Sequence, residues 1–260
     1  MNILFIGDVV GRPGREIVKK LLPELKKELA VDLTLINGEN AAAGVGITEK
    51  IYQELIEMGI DIITMGNHMW DKKEFVKEID HCPRIIRPAN YPPGTPGLDR
   101  ILYKGVGIVN LCGRVFMQSL DCPFRVGEKV INDLKKETKM IIVDMHAEAT
   151  SEKYAMGWFL DGKVSAVIGT HTHVQTVDER ILPKGTAYIT DIGMVGPYNS
   201  VIGVEIEPIL QRFLTQMPHR FEPAKEGPGI FNAVVLKIDS ETGKALEIKR
   251  IFTFSQLEST

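Results

Sequence analysis

Cysteine is scarce in this sequence: three in 260 residues, at positions 82, 112 and 122, with no C-x-x-C pair. Such an odd, scattered set excludes a disulfide-built scaffold and argues for free thiols over a structural zinc site. Long apolar runs are missing too, and no stretch is long enough to span a bilayer. The first residues, Met1 to Asp8, lack the basic start and extended apolar core of a signal peptide. They read as a first core strand, and a cytoplasmic protein is the expectation, with no membrane association. Neither sign of charge is in excess, with 31 Lys and Arg against 34 Asp and Glu and a formal net charge of -3. No basic stripe marks a long nucleic-acid surface, so any nucleotide bound is expected to be small. Phosphate-cradling loops are absent as well. G-x-x-x-x-G-K-[ST] does not occur, and Gly11-Arg12-Pro13-Gly14 lacks the dinucleotide spacing and follows an aspartate that would repel a pyrophosphate. There is no internal repeat and no low-complexity tract.

What is present is an ordinary globular composition, 44% apolar, expected to form one domain over residues 1–260. Five apolar runs read as buried strands: Ile3 to Ile6, Val31 to Ile36, Ile60 to Met65, Met140 to Val143 and Val164 to Ile168. Between them, Ile17, Leu21, Leu22, Leu25 and Leu29 recur at helical spacing. Thr48 is placed to cap a helix carrying Ile51, Leu55 and Met58, and Asp71 to cap one carrying Phe75 and Ile79. This alternation is the rhythm of a parallel sheet covered by helices. Arg84 to Gly97, with four prolines and two glycines, reads as loop. Ile101 to Tyr103, Val106 to Leu111 and Val115 to Met117 read as antiparallel hairpins joining a second sheet. Helices are expected over Val126 to Glu137 and Ser151 to Leu160. Further strands are expected over Thr186 to Thr190, Ile230 to Ile238 and Ala245 to Phe254.

Each of the five buried runs ends in a short polar cluster: Gly7-Asp8, Asn37-Gly38-Glu39-Asn40, Gly66-Asn67-His68, Asp144-Met145-His146 and Gly169-Thr170-His171-Thr172-His173. Ligands of open α/β sheets collect outside the carboxyl ends of the strands. Carboxylates, carboxamides and imidazoles therefore converge on one place, which is the donor set of a metal site. Four of the six histidines lie in these clusters; His81 and His219 do not, and read as structural. Mixed oxygen and nitrogen donors suit two transition ions, neither calcium nor structural zinc. In extended backbone His171 and His173 would point the same way and reach one metal pair. His68, beside Asn67, is a candidate proton donor. Arg12, Tyr91, Phe124, Met194 and Tyr198 are candidates for the pocket wall.

These motifs, with Asp191-Ile192-Gly193-Met194 downstream, resemble the calcineurin-like metallophosphoesterases, and within them the YmdB-like bacterial branch related to 2′,3′-cyclic-nucleotide phosphodiesterases. The resemblance runs over nearly the whole chain. It implies a four-layer α/β/β/α sandwich, with one ion held by Asp8, Glu39, Asn40 and His173. A second would be held by Glu39, Asn67, His146 and His171, with Glu39 bridging. Iron is the metal it favours, with manganese or magnesium able to substitute. His68 would protonate the leaving alcohol after attack by a metal-bound hydroxide on a small nucleotide phosphodiester, a 2′,3′-cyclic nucleotide above all. Two departures point to the narrower branch: Val10 stands where the wider superfamily has a histidine, and Glu39 where it has a bridging aspartate. Phosphomonoesterase activity is the competing enzymatic reading, and a metal-binding regulatory module linked to RNA processing the non-enzymatic one. A homo-oligomer is compatible with either.

Overall fold

The computed structural model describes residues 1–256. Its elements follow in the order β1 (Asn2–Val9), α1 (Gly11–Glu28), β2 (Leu33–Asn37), α2 (Glu49–Glu57), β3 (Ile62–Thr64), α3 (Phe75–Glu78), β4 (Ile85–Ile86), β5 (Arg100–Tyr103), β6 (Val106–Cys112) and α4 (Pro123–Leu134). The second half continues with β7 (Met140–His146), α5 (Thr150–Leu160), β8 (Ala166–Thr170), β9 (Arg180–Ile181), β10 (Ala187–Ile189), β11 (Met194–Pro197), α6 (Ile206–Thr215), β12 (Pro228–Ile238) and β13 (Ala245–Gln256). Among these residues no helix is long and apolar enough to cross a membrane.

Two sheets stack face to face. The first has the order β13-β12-β11-β1-β2-β3-β4 and the second β5-β6-β7-β8-β10-β9. Strand alternation divides the apolar residues into three layers of core. Leu4 and Ile6 of β1 turn toward α1 and α2, where they meet Ile17, Leu22 and Leu55. Ile3 and Phe5, one residue out of phase, turn the other way and pack with Ile108, Ile142 and Ile168 of the second sheet. Ile141, Val143 and Val167 face outward from that sheet onto α4 and α5. Helix, sheet, sheet and helix therefore form the four layers expected, α/β/β/α.

The strands that carry polar clusters are parallel within each sheet: β1 with β2, β2 with β3, and β7 with β8. Their carboxyl ends consequently share one rim. A register shift between Ile6 and Asp8 brings Asp8 opposite Asn37. Gly7 allows it, because a Cβ there would lie 2.0 Å from the Gly193 carbonyl oxygen.

Several sequence expectations give way to tertiary forces. Thr48 does cap α2, its Oγ1 accepting from the Ile51 amide at 3.3 Å. Asp71 caps nothing: α3 begins after Glu74 and its cap has no side-chain hydrogen bond. Val115 to Met117 is not a strand. The buried Glu152 carboxylate accepts the Arg114 and Val115 amides, and amides engaged there are unavailable to a ladder. The stretch Arg84 to Gly97, read as loop, contains β4, which completes the first sheet beside β3. The hairpin expectation holds for β5 and β6, but β6 then pairs parallel with β7. Strand β11 and helix α6 carry short or one-sided patterns that sequence periodicity passed over.

Candidate metal centre

Asp8 is fully buried, and its Oδ1 has no hydrogen-bond partner. Burial pushes its carboxyl well above the usual range, and Asp191 and Glu39 add to the rise. Its other oxygen accepts the His171 amide at 3.3 Å. Glu39, 1% exposed, projects from the loop after β2 and accepts the His68 amide on Oε2 at 3.1 Å. Burial would raise this carboxyl as well, but the His146 ring against it overrides burial and holds it near 2.

His146 sits at the end of β7 with its Nδ1 2.9 Å from Thr170 Oγ1. That hydroxyl donates to Asp144 Oδ1 at 2.6 Å, so it accepts from the ring and leaves Nε2 facing the centre. Around this one nitrogen lie Glu39 Oε1 at 2.9 Å, Asn67 Oδ1 at 3.2 Å and His171 Nδ1 at 3.1 Å. Burial disfavours the charged ring, yet Glu39, Asp8 and Asp144 raise it to about 9. One proton cannot satisfy three lone pairs that converge from different directions. A cation can. Glu39, His146 and His171 offer donor atoms within 4.8 Å of one another, and a Cβ at Gly66 would fall 2.2 Å from Glu39 Oε2 and 2.3 Å from His146 Nε2. The missing side chain is what leaves room there.

A second group of donors adjoins the first. His173 donates Nδ1–H to the Ile202 carbonyl at 2.8 Å, which turns Nε2 toward Asn40 Oδ1 at 3.2 Å and the orphaned Asp8 Oδ1 at 4.0 Å. The Asn40 amide nitrogen donates to the Gly44 carbonyl, fixing which end of the side chain faces inward. Burial lowers His173, and burial with the adjacent His146 charge lowers His171 to about 3. Both rings are therefore neutral and able to donate lone pairs at physiological pH. These donors, nitrogen and oxygen without sulfur, fit divalent transition cations.

His171 and His173 converge by a different route from the one sequence suggested. Their backbone is not extended: φ is 98° at His171 and 65° at His173, the left-handed region that side chains other than glycine seldom adopt. Lys153 of α5 stabilises the turn from below. It is 1% exposed and donates to the Thr170 carbonyl and to Asp191 Oδ2, both at 2.6 Å. Asp191 in turn accepts the Thr172 and Gly193 amides. A lysine on a helix gives no sequence signal for such a role.

His68 lines the mouth of the centre, with Nδ1 2.7 Å from Asp71 Oδ2 and Nε2 left for the cavity. Asp71, placed by its sequence position to cap a helix, is thus the orienting partner of His68. Asn37, Thr64 and Thr170 converge on Asp144 in the same way. Asn37, Asp144 and Thr170 belong to strand-end clusters legible in the sequence; Thr64, inside an apolar run, does not.

The cavity over these groups has a volume of about 390 Å³. None of Arg12, Tyr91, Phe124, Met194 and Tyr198 lines it. Its far wall is Ile202, Val204, Phe221 and Pro223, from a segment distant in sequence. Among the described residues its carboxylates are Glu39, Glu148 and Glu222, and none of its lining residues is Lys or Arg. The Glu148 carboxylate also lies 3.2 Å from His171 Nε2, on the side of the ring opposite His146.

Comparison with known proteins finds relatives that match nearly the whole chain. The sequence pattern of the YmdB-like protein family matches residues 4–251. The chain is 55% identical over 255 residues to a 2′,3′-cyclic-nucleotide 2′-phosphodiesterase of Bacillus subtilis, covering 96% of each. Among solved structures, a protein of Thermus thermophilus described as hypothetical is 44% identical, with a TM-score of 0.90 and coverage of 98% and 99%. One from Mycoplasma pneumoniae described as a novel phosphatase is 36% identical, with a TM-score of 0.92 and coverage of 98% and 93%.

Proposed function

The chain belongs to the YmdB-like family, and from that premise we propose that it is a metal-dependent phosphodiesterase that opens 2′,3′-cyclic nucleotides. In this reading residues 1–260 act as one metallophosphoesterase domain. Asp8, Asn40 and His173 hold one ion; Asn67, His146 and His171 hold the other; Glu39 is shared. The orphaned Asp8 oxygen and the three lone pairs around His146 Nε2 support this division. Iron, with manganese or magnesium as substitutes, suits the mixed nitrogen and oxygen donors. Two such cations, when bound, polarise a phosphoryl oxygen and make water nucleophilic near neutral pH.

The protein's own groups then have distinct tasks. The His68 backbone amide bonds Glu39, which ties the proton donor to the shared carboxylate. Asp71 fixes the His68 ring so that Nε2 can protonate the departing ribose oxygen. A cytoplasmic setting is part of the same proposal, supported by Cys82, Cys112 and Cys122 all being free thiols.

One observation carries the choice of a diester: the cavity presents Glu148 and Glu222 to its occupant and no Lys or Arg. A phosphomonoester near neutral pH carries close to two negative charges, a diester one. With no basic side chain to share the load, the walls repel the monoester more. Arg220 and Lys225 pair with Glu222 and soften the effect without removing Glu148. The test is kcat/KM for 2′,3′-cyclic nucleotides, 3′,5′-cyclic nucleotides and phosphomonoesters under one metal condition. We expect the 2′,3′-cyclic class to lead, and Glu148→Gln with Glu222→Gln to narrow its margin over monoesters. Monoesters winning by tenfold, about 1.4 kcal/mol of transition-state preference, would install the phosphatase reading instead.

A further inference from the structure

Apart from the imidazoles of His68, His171 and His173, Phe221 is the single aromatic side chain lining the cavity among the described residues. It is 38% exposed and so not consumed by core packing. The ring is held from one face: the Arg212 guanidinium of α6 lies over it, 5.1 Å from its centroid. Its backbone segment is tied to the metal centre by a short chain of hydrogen bonds. Val204 bridges Pro223, the Glu205 amide donates to the Glu222 carbonyl at 3.0 Å, and the Ala224 amide donates to Gly203 at 3.0 Å. Ile202, on the same turn, accepts from His173 Nδ1. Pro223 meanwhile packs over Gly11 and Gly44, where a Cβ would come within 2.8 Å and 3.4 Å of its ring. Gly44 is also the residue that anchors Asn40. The aromatic wall and the phosphate-binding wall are therefore set at a fixed offset, on one preorganised frame.

Resting on the cyclic-nucleotide reading above, we infer that Phe221 is the platform on which the nucleobase stacks while the cyclic phosphate faces the metal donors. Stacking on an aromatic face does not read the base edge, because every base has such a face. Ile202, Val204 and Pro223 extend the apolar surface without adding a hydrogen-bond donor or acceptor from their side chains. The enzyme accordingly accepts all four bases, and purines, with the larger face, gain more than pyrimidines. Arg212 is a positioning residue for the ring.

The experiment compares wild type, Phe221→Ala and Phe221→Trp on three compounds: 2′,3′-cyclic AMP, 2′,3′-cyclic CMP and glycerol 1,2-cyclic phosphate, which keeps the strained ring and has no base. Phe221→Ala should raise KM about tenfold for cyclic AMP and less for cyclic CMP, with kcat nearly unchanged. It should leave kcat/KM for the glycerol compound as in wild type, and Phe221→Trp should restore nucleotide KM. An equal loss on all three compounds, or no loss on the nucleotides, overturns the platform while the diesterase reading stands. Wild type that turns over none of the three overturns the diesterase reading and the platform with it.

Discussion

His146 places Nδ1 on a threonine hydroxyl and Nε2 among three lone pairs, and the other imidazoles follow the same rule. His171 lies beside Glu148, His173 donates to the Ile202 carbonyl and His68 faces Asp71; for His171 and His173 this is the nitrogen that does not face the neighbouring donors His146 and Asn40. The sequence supplied the imidazoles at the strand ends; only the partners decide which nitrogen is free. Two predictions belong at this scale. Glu39 keeps His146 protonated up to about pH 9 in the metal-free protein, so a cation binding at pH 7 must displace that proton. Apparent affinity should climb from pH 7 to 9 and level beyond, where the competing proton is already gone. Calorimetric titration with Mn²⁺ in buffers of different ionisation enthalpy should show net proton release, and heats independent of buffer would refute it. His68→Ala should retain metal and fold while kcat falls by about 10²–10⁴-fold, the range for a general acid. The loss should shrink on substrates with p-nitrophenolate leaving groups. Loss of metal in this variant would move His68 into the coordination shell.

The element that most determines the centre is the turn after β8, where two successive left-handed histidines stand either side of Thr172. Such backbone persists only where surrounding contacts hold it, and here Lys153 reaches from α5 to bond both the turn and Asp191. Lys153→Met would leave Asp191 buried without its cation. Breaking a buried pair in this way costs about 3–5 kcal/mol, so the denaturation midpoint should drop and metal content should drop with it. Urea unfolding monitored by circular dichroism, with metal analysis on the same samples, checks both. A variant as stable as wild type would mean that the turn holds itself.

At the scale of the whole molecule, the two sheets meet over Ile3, Phe5, Ile108, Ile142 and Ile168, and the polar centre closes one rim of that interface. Asp8, Glu39, Asn40 and Asn67 come from the first sheet's strand ends, His146, His171 and His173 from the second's. Ions bound between them would link the layers, and a ligand that binds only the folded state stabilises it by mass action. At about a hundredfold excess over Kd this amounts to about 2.7 kcal/mol, which for a chain of this size is a Tm rise of about 5–10 °C. Scanning calorimetry before and after chelation, then with Mn²⁺ restored, should show the loss and its reversal. A Tm indifferent to chelation would argue against ions joining the sheets.

The sequence alone determined the α/β alternation, the buried strands and the gathering of donors at their carboxyl ends. These follow from periodicity and from the directionality of parallel sheets, both local properties. Asp8, Glu39, Asn67 and His146 could be placed at one rim on that basis. Tertiary structure decided the rest, because the deciding contacts join residues far apart in the chain. It turned Asp71 from a cap into the partner of His68, and converted Val115 to Met117 from a strand into a turn on Glu152. It brought Lys153 beneath the histidine turn and closed the cavity with Ile202 to Pro223 in place of the wall residues nearer the motifs. Whether a buried carboxylate, an imidazole and a phenyl ring share one cavity is a question of packing, which no spacing along the chain encodes.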